Sequence, residues 1–535
     1  MTTADFDAII VGSGPAGVTA AFPLVEAGLR VGMVDVGKDG STPAPQQTYK
    51  EMRTQDAGQW VQLLGRNFQA LSRENATAKS PKLRIPRLGF AFEGYAEAYR
   101  LVTEGCAIYG SLAAGGFSNA WGSGVACFDD TDLMQFPIKA SDLAQSFRRV
   151  VARIGVSGAE DDDLTEFYGP ELSAGRPTAA DDTLLRMLAR YRRRPAAANR
   201  HGVALGRCRH AVLTSPHASR DVCADCGQCL LGCARNSIYN SVFDLEALKQ
   251  HRNFEWLPRT FVERIQSESG NLAVLVSRLD QHQNTKLTAR RIFLAAGAIG
   301  TAAIVLRSLN STANIRLLST PAAAFALWLP DALGKTTPDR FFALGELAFK
   351  VTWSSGASGY AFGAIFSTHG LPVSDFMNHF PISRRTSGQL VRRLLPSMAV
   401  GNCFMPADLS DHRLRLAADN GLVIRGGFKD ELFARVSDVR KRLARSFSRY
   451  GAWLIPGSVM LGEPGADIHY AGTVPMREMP APHESSSDGE VGGLPGVYVV
   501  DGAALSALPA KSHTLTMMAN ADRIAANVAR QLHRR

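Results

Sequence analysis

The chain has 535 residues, of which 45% are hydrophobic and 20% are charged, values that are ordinary for a globular protein. This length is too great for one simple hydrophobic core, so we expect at least two domains. No apolar run reaches the ~18 residues that a membrane span needs, and a core strand begins within a few residues of Met1. The sequence therefore predicts a large soluble protein without a secretory signal, located in the cytoplasm.

The net charge of the chain is +10, from 59 basic and 49 acidic residues, and arginines cluster at residues 192–194 and 392–393. These clusters lack the interleaved aromatic residues of a nucleic-acid module, so we expect no nucleic-acid partner. A solvated surface is the favoured interpretation. A phosphate-bearing substrate and a peripheral contact with an anionic membrane are the alternatives.

The first predicted element is a short apolar strand, residues 8–11, which leads through a glycine-rich turn into a helix. Gly12 permits the tight turn, Gly14 lets the backbone approach a pyrophosphate, and Gly17 lets the helix pack closely on the strand. The helix N-terminus favours the negative charge of that pyrophosphate. The candidate residues of this turn are Gly12, Gly14, Pro15, Ala16 and Gly17.

A second strand, residues 30–34, ends at Asp35, which is placed to accept hydrogen bonds from an adenosine ribose. Strand, turn, helix, strand and acid thus follow one another in the order of a dinucleotide-binding unit. This motif alone does not distinguish FAD from NAD.

Residues 115–122 form a stretch too rich in glycine for a helix or a central strand. Small residues are useful where the backbone must pass close to a bulky planar ligand. We therefore expect cofactor contacts from Gly115, Gly116, Ser118, Asn119, Trp121 and Gly122.

Four of the eight cysteines follow one another at ferredoxin spacing: Cys223, Cys226, Cys229 and Cys233. Ala234 stands where ferredoxins carry a proline, and a single cluster needs either Cys233 or a distant thiol such as Cys208 as its fourth ligand. An iron–sulfur cluster, a zinc site and a metal-free loop are the three interpretations. Disulfides are disfavoured in a cytoplasmic protein.

Two later segments favour FAD over NAD. Residues 289–301 read as a buried strand that runs into a Gly-Ala turn, and residues 497–504 read as a buried strand that ends in an acid. Both are similar to the elements with which an FAD-binding domain resumes after an inserted domain. They supply Ala296, Gly297, Asp501 and Gly502 as candidate cofactor contacts.

Between these segments, residues 347–353 and 422–427 are predicted strands, and residues 429–450 are a predicted helix. Upstream, the acidic run at residues 160–163 is expected to lie in a solvated loop. No internal repeat is visible.

Several motifs together resemble the glucose–methanol–choline (GMC) oxidoreductase family: GSGPAG at 12–17, GGFSNAWG at 115–122, AAGAIGT at 295–301, HYAGT at 469–473 and the C-terminal segment from residue 497. The resemblance implies an α/β fold, with a Rossmann-type FAD-binding domain and an inserted α+β substrate domain built on an antiparallel sheet. On this basis we assign residues 1–150, 240–310 and 455–535 to the FAD-binding domain. Residues 151–239 become a cysteine-containing insertion or cap, and residues 311–454 the substrate-binding domain.

The resemblance also implies chemistry, the oxidation of a carbinol to a carbonyl with hydride transfer to flavin N5. An alcohol donates hydride poorly until its O–H proton is removed, and a histidine with a reference pKa near 6.5 is a suitable neutral base. His469 lies where the family has its catalytic histidine, and His513 opens the last predicted helix beside the cofactor candidate Thr514. Ser512 stands where many members have asparagine.

No histidine occurs in residues 115–122, so the members that attach FAD covalently through this region are not matched, and we expect non-covalent FAD. The predicted substrate is a small sugar, polyol or sugar-derived alcohol, and the electron acceptor is undetermined. Two alternatives are a flavin protein that passes electrons through an iron–sulfur centre to a partner, and a flavin-dependent C=C reductase. The latter lacks a second nucleotide motif for a nicotinamide.

Overall fold

The computed structural model describes residues 4–533, apart from 41, 69, 71–80, 173–174, 195–200, 218–219, 269, 279–282, 354–358 and 372–382. Among the described helices, none is both long enough and apolar enough to cross a membrane.

The strands, in chain order, are β1 (Phe6–Val11), β2 (Val31–Val34), β3 (Val102–Glu104), β4 (Val203–Arg207), β5 (Phe254–Leu257), β6 (Thr260–Glu268), β7 (Asn271–Arg278), β8 (Gln283–Leu294), β9 (Ile315–Ser319), β10 (Ala322–Trp328), β11 (Leu347–Thr352), β12 (Tyr360–Ser367), β13 (Met398–Phe404), β14 (His412–Leu416), β15 (Leu422–Arg425), β16 (Trp453–Leu454), β17 (Met460–Leu461), β18 (Tyr470–Ala471) and β19 (Val497–Val499).

The α-helices are α1 (Pro15–Glu26), α2 (Tyr49–Gln55), α3 (Gln59–Leu64), α4 (Tyr95–Tyr99), α5 (Ala140–Ile154), α6 (Thr165–Tyr168), α7 (Asp182–Arg192), α8 (Ser241–Leu248), α9 (Gly297–Ser308), α10 (Arg384–Leu394), α11 (Glu431–Arg449) and α12 (Thr514–His533).

The first sheet has the order β5-β2-β1-β8-β7-β6, with β19 also paired to β8. β1 pairs in parallel with both β2 and β8, whereas β7 runs antiparallel to β6 and β8. β1 and β2 are apolar at almost every position because α1 and α12 cover one face of the sheet and α9 covers the other. This sheet collects strands from both ends and the middle of the chain.

The second sheet is antiparallel, with the order β16-β10-β13-β12-β11-β4 and β17 beside β10. One of its faces is buried, with Phe325 and Phe349 packed against Leu188 of α7 and Phe447 of α11. β4, from the cysteine-containing segment 151–239, is an edge strand of this sheet and pairs with β11. The predicted fold class, a parallel nucleotide-binding sheet with an inserted α+β unit on an antiparallel sheet, is confirmed.

A third, smaller sheet has the order β18-β9-β14-β15-β3. Its edge pair brings Tyr470 of β18 opposite Ser319 of β9. The residues that adjoin this pair, His469 and Thr320, are therefore neighbours although 149 positions separate them.

The expectation that residues 160–163 lie in a solvated loop is wrong for Asp162. Its side chain is 1% exposed and accepts hydrogen bonds from both terminal nitrogens of Arg209, at 2.9 and 3.1 Å. A carboxylate with a planar guanidinium partner can be buried without losing its hydrogen bonds, and the sequence pattern did not show that partner.

Candidate active site

The glycine turn after β1 has little space at two of its glycines and open space at the third. Gly12 has φ +105°, and a Cβ there would lie 2.3 Å from the carbonyl oxygen of Ala295. A Cβ on Gly17 would lie 1.9 Å from the carbonyl oxygen of Gly12. The helix therefore packs more closely on the strand than a side chain at residue 17 would allow. A Cβ on Gly14 would meet nothing within 4 Å. The turn therefore presents bare backbone to an open space at the N-terminus of α1.

Ser13 connects three parts of this region, a role that the sequence analysis missed. Its backbone N–H and its hydroxyl both donate to Asp35, at 2.6 and 2.5 Å, and its oxygen accepts from the N–H of Gly115 at 3.0 Å. The Asp35 carboxylate also accepts from the N–H of Gly37 at 3.0 Å. Burial raises the pKa of Asp35, although these hydrogen bonds act in the opposite direction. The candidate ribose ligand thus lies at the end of β2, held by the turn itself.

The 115–122 segment lies against the same turn. Ser118 donates to the carbonyl of Gly115 at 2.6 Å, and Asn119 donates to that of Ala114 at 2.8 Å, so both side chains support their own loop. The indole N–H of Trp121 donates to the carbonyl of Tyr239 at 2.8 Å. A Cβ on Gly122 would meet nothing within 4 Å, and a Cβ on Gly116 would meet only the Cα of Gly14, at 3.6 Å. Small residues here leave room between the backbone of this segment and that of the glycine turn.

The third side of this space is formed by Ala296 and Gly297, at the start of α9, together with Asp501 and Gly502. Gly297 has φ +78°, and a Cβ there would meet nothing within 4 Å. The Asp501 carboxylate accepts from Thr301 Oγ1 at 2.6 Å and from the N–H of Ala503 at 2.8 Å, and burial raises its pKa to about 6. The carbonyl of Gly502 accepts from the N–H of Gly472, which ties this segment to the HYAGT motif.

A cavity of about 280 Å³ continues this space at the Asp35 end, lined by residues that include Gly37, Ala114, Trp256 and Arg259. An elongated dinucleotide needs a pocket with both apolar and polar lining for its nucleoside, and it needs bare backbone for its phosphates. The residues present therefore fit FAD. They would hold its pyrophosphate on the turn of α1 and its adenosine near Asp35.

Two histidines, His469 and His513, are in contact with each other. The rings of His469 and His513 are 5.4 Å apart between centroids and nearly perpendicular, at 82°. His469 precedes β18, and His513 immediately precedes α12, so two different elements present the rings to each other. Burial lowers the pKa of His469 to about 4, and burial with the neighbouring ring lowers that of His513 to about 3. Both imidazoles are therefore neutral at pH 7, the state in which a ring nitrogen can accept a proton.

The side chain of His469 is oriented by groups that the motif does not include. Its Nδ1 lies 3.1 Å from Thr320 Oγ1, and Thr320 Oγ1 lies 2.9 Å from Asp467 Oδ2. The ring of Phe404 packs against the His469 ring with 4.8 Å between centroids. Thr320 and Phe404 lie far from His469 in the sequence, so no local pattern could have identified them, whereas Asp467 is only two residues away.

His513 is held in place through its neighbours. Lys511 has no exposed side-chain surface, and its ammonium contacts Asp132 at 2.6 Å and Asp129 at 3.3 Å. Ser512 lies beside Gly124, where a Cβ would come within 3.3 Å of the Ser512 hydroxyl. Thr514 begins α12. The candidate base His513 thus follows a buried lysine and a serine that lies beside Gly124, two residues beyond the glycine-rich segment.

Comparisons with known proteins agree with this arrangement. No protein-family model and no curated protein sequence matches the chain. Among solved structures, it is similar to pyridoxine 4-oxidase from Mesorbium loti, with a TM-score of 0.61, 16% identity and 99% of each chain covered. A formate oxidase from Aspergillus oryzae RIB40 gives a TM-score of 0.61, 14% identity and 100% coverage of both chains. A fungal aryl-alcohol oxidase gives 0.57 and 13%, with 99% of this chain and all of that chain covered.

The chain has the GMC oxidoreductase fold. Sequence identity this low shows the fold alone, and the chemistry has to be argued from the site.

Within this GMC fold, the antiparallel sheet turns an apolar face toward the histidines. The strand residues on the same face as Phe404 are mostly small or apolar and half-buried: Ala322, Ala324, Phe366, Met398 and Val400. Trp328 and Trp453, paired at the far end of this face, are 42% and 52% exposed. Sheet faces that meet only water are usually polar, so this apolar face is suited to an apolar ligand.

The cysteine segment lies on the other side of Trp121. The buried ammonium of Lys82 donates to the Trp121 carbonyl. Burial lowers the pKa of Lys82 to about 8, although the nearby Cys229 and Cys233 offset part of this shift. All eight cysteines are free thiols. Within the described part of the chain, no group of three or more cysteine, histidine or acidic side chains is placed to hold a metal ion. The predicted iron–sulfur and zinc sites at Cys223, Cys226, Cys229 and Cys233 thus have no support in this arrangement.

Proposed function

We propose that this chain is an FAD-dependent oxidoreductase that oxidises a CH–OH group to a carbonyl, with His469 as the base. The observation that carries this proposal is the buried, neutral histidine pair, with rings 5.4 Å apart, in a fold whose glycine turn leaves bare backbone for a dinucleotide. A neutral base close to the bound flavin is what alcohol oxidation requires.

FAD, when bound, supplies the hydride acceptor for this chemistry. The chain's own residues supply the remainder. His469 is neutral at pH 7 because burial lowers its pKa to about 4, so one of its ring nitrogens can take the alcohol proton. His513 faces the same space and can hydrogen-bond the same hydroxyl. The glycine turn and Asp35 hold the cofactor, and the surrounding apolar residues exclude water.

The substrate class has two candidates. The sequence resemblance predicts a sugar, a polyol or a sugar-derived alcohol. The apolar face around Phe404 and Val400 favours instead an alcohol with an aromatic or aliphatic body, because a polyol needs several convergent hydrogen-bonding groups. Asn402 is the polar side chain that β13 places on this face, and its amide oxygen already accepts from the N–H of Ala364 at 2.8 Å. Initial reduction rates with benzyl and long-chain primary alcohols, set against glucose and sorbitol, discriminate the two.

The two other functions predicted from the sequence differ in their electron source. A flavin protein that only passes electrons to a partner needs no base, and a C=C reductase needs a nicotinamide. Bleaching of the flavin by an alcohol under anaerobic conditions supports the oxidoreductase, whereas bleaching only by NADPH supports the reductase. The acceptor, whether oxygen, a quinone or a protein, does not enter this measurement.

The test is anaerobic stopped-flow reduction of FAD-loaded His469→Ala with an accepted alcohol. We expect retained FAD and reduction slowed by about 10²–10⁴-fold, the usual contribution of a positioned base. His251→Ala, which removes an exposed histidine, is the matched control and should reduce at the wild-type rate. If flavin in His469→Ala is reduced at the wild-type rate, the base lies elsewhere.

A further inference from the structure

We propose that Thr320 and Asp467 form a positioning pair that decides which ring nitrogen of His469 carries the proton. In this arrangement Nδ1 is protonated and Nε2 is left as the acceptor. The inference rests on the proposed function for its catalytic meaning, but the tautomer itself can be measured without turnover.

The argument begins with the hydroxyl of Thr320, which has one proton to donate and lone pairs with which to accept. It lies 2.9 Å from Asp467 Oδ2 and 3.1 Å from His469 Nδ1. An ionised carboxylate only accepts hydrogen bonds, so the Thr320 proton points to Asp467. The contact with the ring can then be made only if Nδ1–H donates to the Thr320 oxygen. A neutral imidazole has one N–H, so Nε2 keeps its lone pair.

The surroundings of Asp467 are those of an ionised carboxylate. Besides the Thr320 hydroxyl, it accepts from Ser319 Oγ at 2.5 Å, from the N–H of Thr320 at 3.0 Å and from the N–H of His469 at 3.1 Å. Four donors surround it, and none of the ion pairs among the described residues involves it. Each of these hydrogen bonds favours the charged form, although burial works against it.

The backbone between the acid and the base is fixed in an unusual conformation. Ile468 has φ +63°, in the left-handed region that a β-branched residue rarely adopts. This turn lets the carboxylate of residue 467 fold back onto the N–H of His469 while the His469 ring faces Thr320. The surrounding structure therefore maintains strain at the point where the two side chains are brought together.

The arrangement also predicts a pH response. Burial raises the pKa of Asp467 to about 6, well above the value of about 4 for His469. Between these values Asp467 gains a proton that it can donate to Thr320, which can then donate to Nδ1, so the ring proton moves to Nε2. The neighbouring groups titrate outside this interval, because burial lowers the pKa of His513 to about 3 and raises the pKa values of Tyr470, Tyr109 and Cys106 above their ordinary values.

The tautomer is measured by ¹⁵N NMR of FAD-loaded protein with ring-labelled histidine, and the His469 signals are assigned by their loss in His469→Gln. We expect Nδ1–H and an unprotonated Nε2 at pH 7.5, in the wild type and in Thr320→Ser, which keeps the hydroxyl. Thr320→Val removes the hydroxyl at similar volume and should lose this preference. Ser319→Ala, which removes a different donor to Asp467, is the matched control and should keep it.

Kinetics give the second readout. Flavin reduction at saturating alcohol should fall by about tenfold in Thr320→Val, the scale of one orienting hydrogen bond, and Thr320→Ser should restore it. The alcohol dissociation constant should not change. In the wild type the rate should decline below pH 6, before His469 itself is protonated.

An Nε2–H signal in the wild type at pH 7.5, or an unchanged Nδ1–H signal in Thr320→Val, would overturn the inference. Neither result depends on turnover, so both are distinct from failure of the proposed function, which would appear as wild-type reduction by His469→Ala.

Discussion

The two ends of the candidate site are built in different ways. At the glycine turn, the determinants lie within a few residues: Gly12 takes a positive φ, and Gly17 has a carbonyl oxygen 1.9 Å from where its Cβ would lie. At the histidine pair, side chains from distant parts of the chain also take part: Thr320 contacts Asp467 and His469, and Asp132 pairs with Lys511. The first end is set by backbone geometry within a short motif, and the second also needs side chains that lie far away in the sequence.

This difference teaches what each end tolerates. A backbone cradle is lost when a Cβ enters it, whatever the chemistry of the added side chain. A side-chain assembly can lose one member and keep its fold, with a graded loss of rate. The predictions below use this contrast, from the largest effect to the smallest.

The largest effect is expected from Gly14→Val. Gly14 has φ −62° and ψ 175°, an extended conformation that valine adopts, and its Cβ would point into open space. The protein should therefore fold but lose FAD entirely, because the side chain would stand where the pyrophosphate approaches. Flavin absorbance after purification and circular dichroism measure the two properties.

Gly17→Ala gives the contrast within the same turn, since its Cβ would collide with the Gly12 carbonyl. It should reduce the yield of folded protein. Gly14→Val protein with a full complement of FAD would refute the assignment of this turn to the phosphates. In the wild type, acid precipitation should release the FAD, as expected for non-covalent binding.

At the histidine end, His513→Ala should slow flavin reduction by about 10²–10⁴-fold while FAD stays bound. Because His469 and His513 face each other at 5.4 Å, the double variant should lose less than the product of the two single losses. Anaerobic stopped-flow reduction of all four proteins completes the cycle. Strictly multiplicative losses would mean that the two rings act independently.

Lys511→Met tests the support behind His513. The ammonium has no exposed surface and pairs with Asp132, which is 2% exposed, so its removal leaves a buried carboxylate without its cation. We expect a loss of about 3–5 kcal/mol in the free energy of unfolding. Lys350→Met is the matched control, since Lys350 contacts the Phe167 ring at 4.7 Å and should cost about 1 kcal/mol. Urea unfolding that shows equal losses for both variants would contradict this ranking.

The smallest effect concerns a histidine with no role at the site. Burial lowers the pKa of His412 to about 4, as for His469, and neither of its ring nitrogens has a partner among the described residues. Between about pH 6.5 and 4 this histidine is protonated in the unfolded chain but neutral in the folded chain, so acidification destabilises the protein. His412→Leu should reduce this slope by up to about 1.4 kcal/mol per pH unit.

Urea midpoints at pH 7 and pH 5 measure this slope. Flavin reduction by His412→Leu should equal that of the wild type, which would separate a buried histidine from a base. An unchanged pH slope would place the origin of the acid sensitivity in other groups.

Much of the fold could be predicted from the sequence. Strands β1 and β2, the turn between them and helix α11 lie within one to three residues of their predicted bounds, because apolar runs and glycines report local structure directly. The burial of Asp162 with Arg209 could not be predicted, since 47 residues separate the two side chains. The cysteine spacing left a cluster, a zinc site and a metal-free loop as alternatives, because spacing alone does not establish that four thiols converge.

The sequence by itself determined the strand, turn, helix and strand at the start of the chain, and it singled out the two histidines as candidates. Each of these depends on residue types within a short window, where backbone geometry and steric fit set the outcome. Only the tertiary structure decided that Thr320 contacts both Asp467 and His469, that Phe404 packs against the His469 ring and that Lys511 pairs with Asp132. Those contacts depend on how three sheets pack together, because side chains far apart in sequence meet only when the fold closes around them.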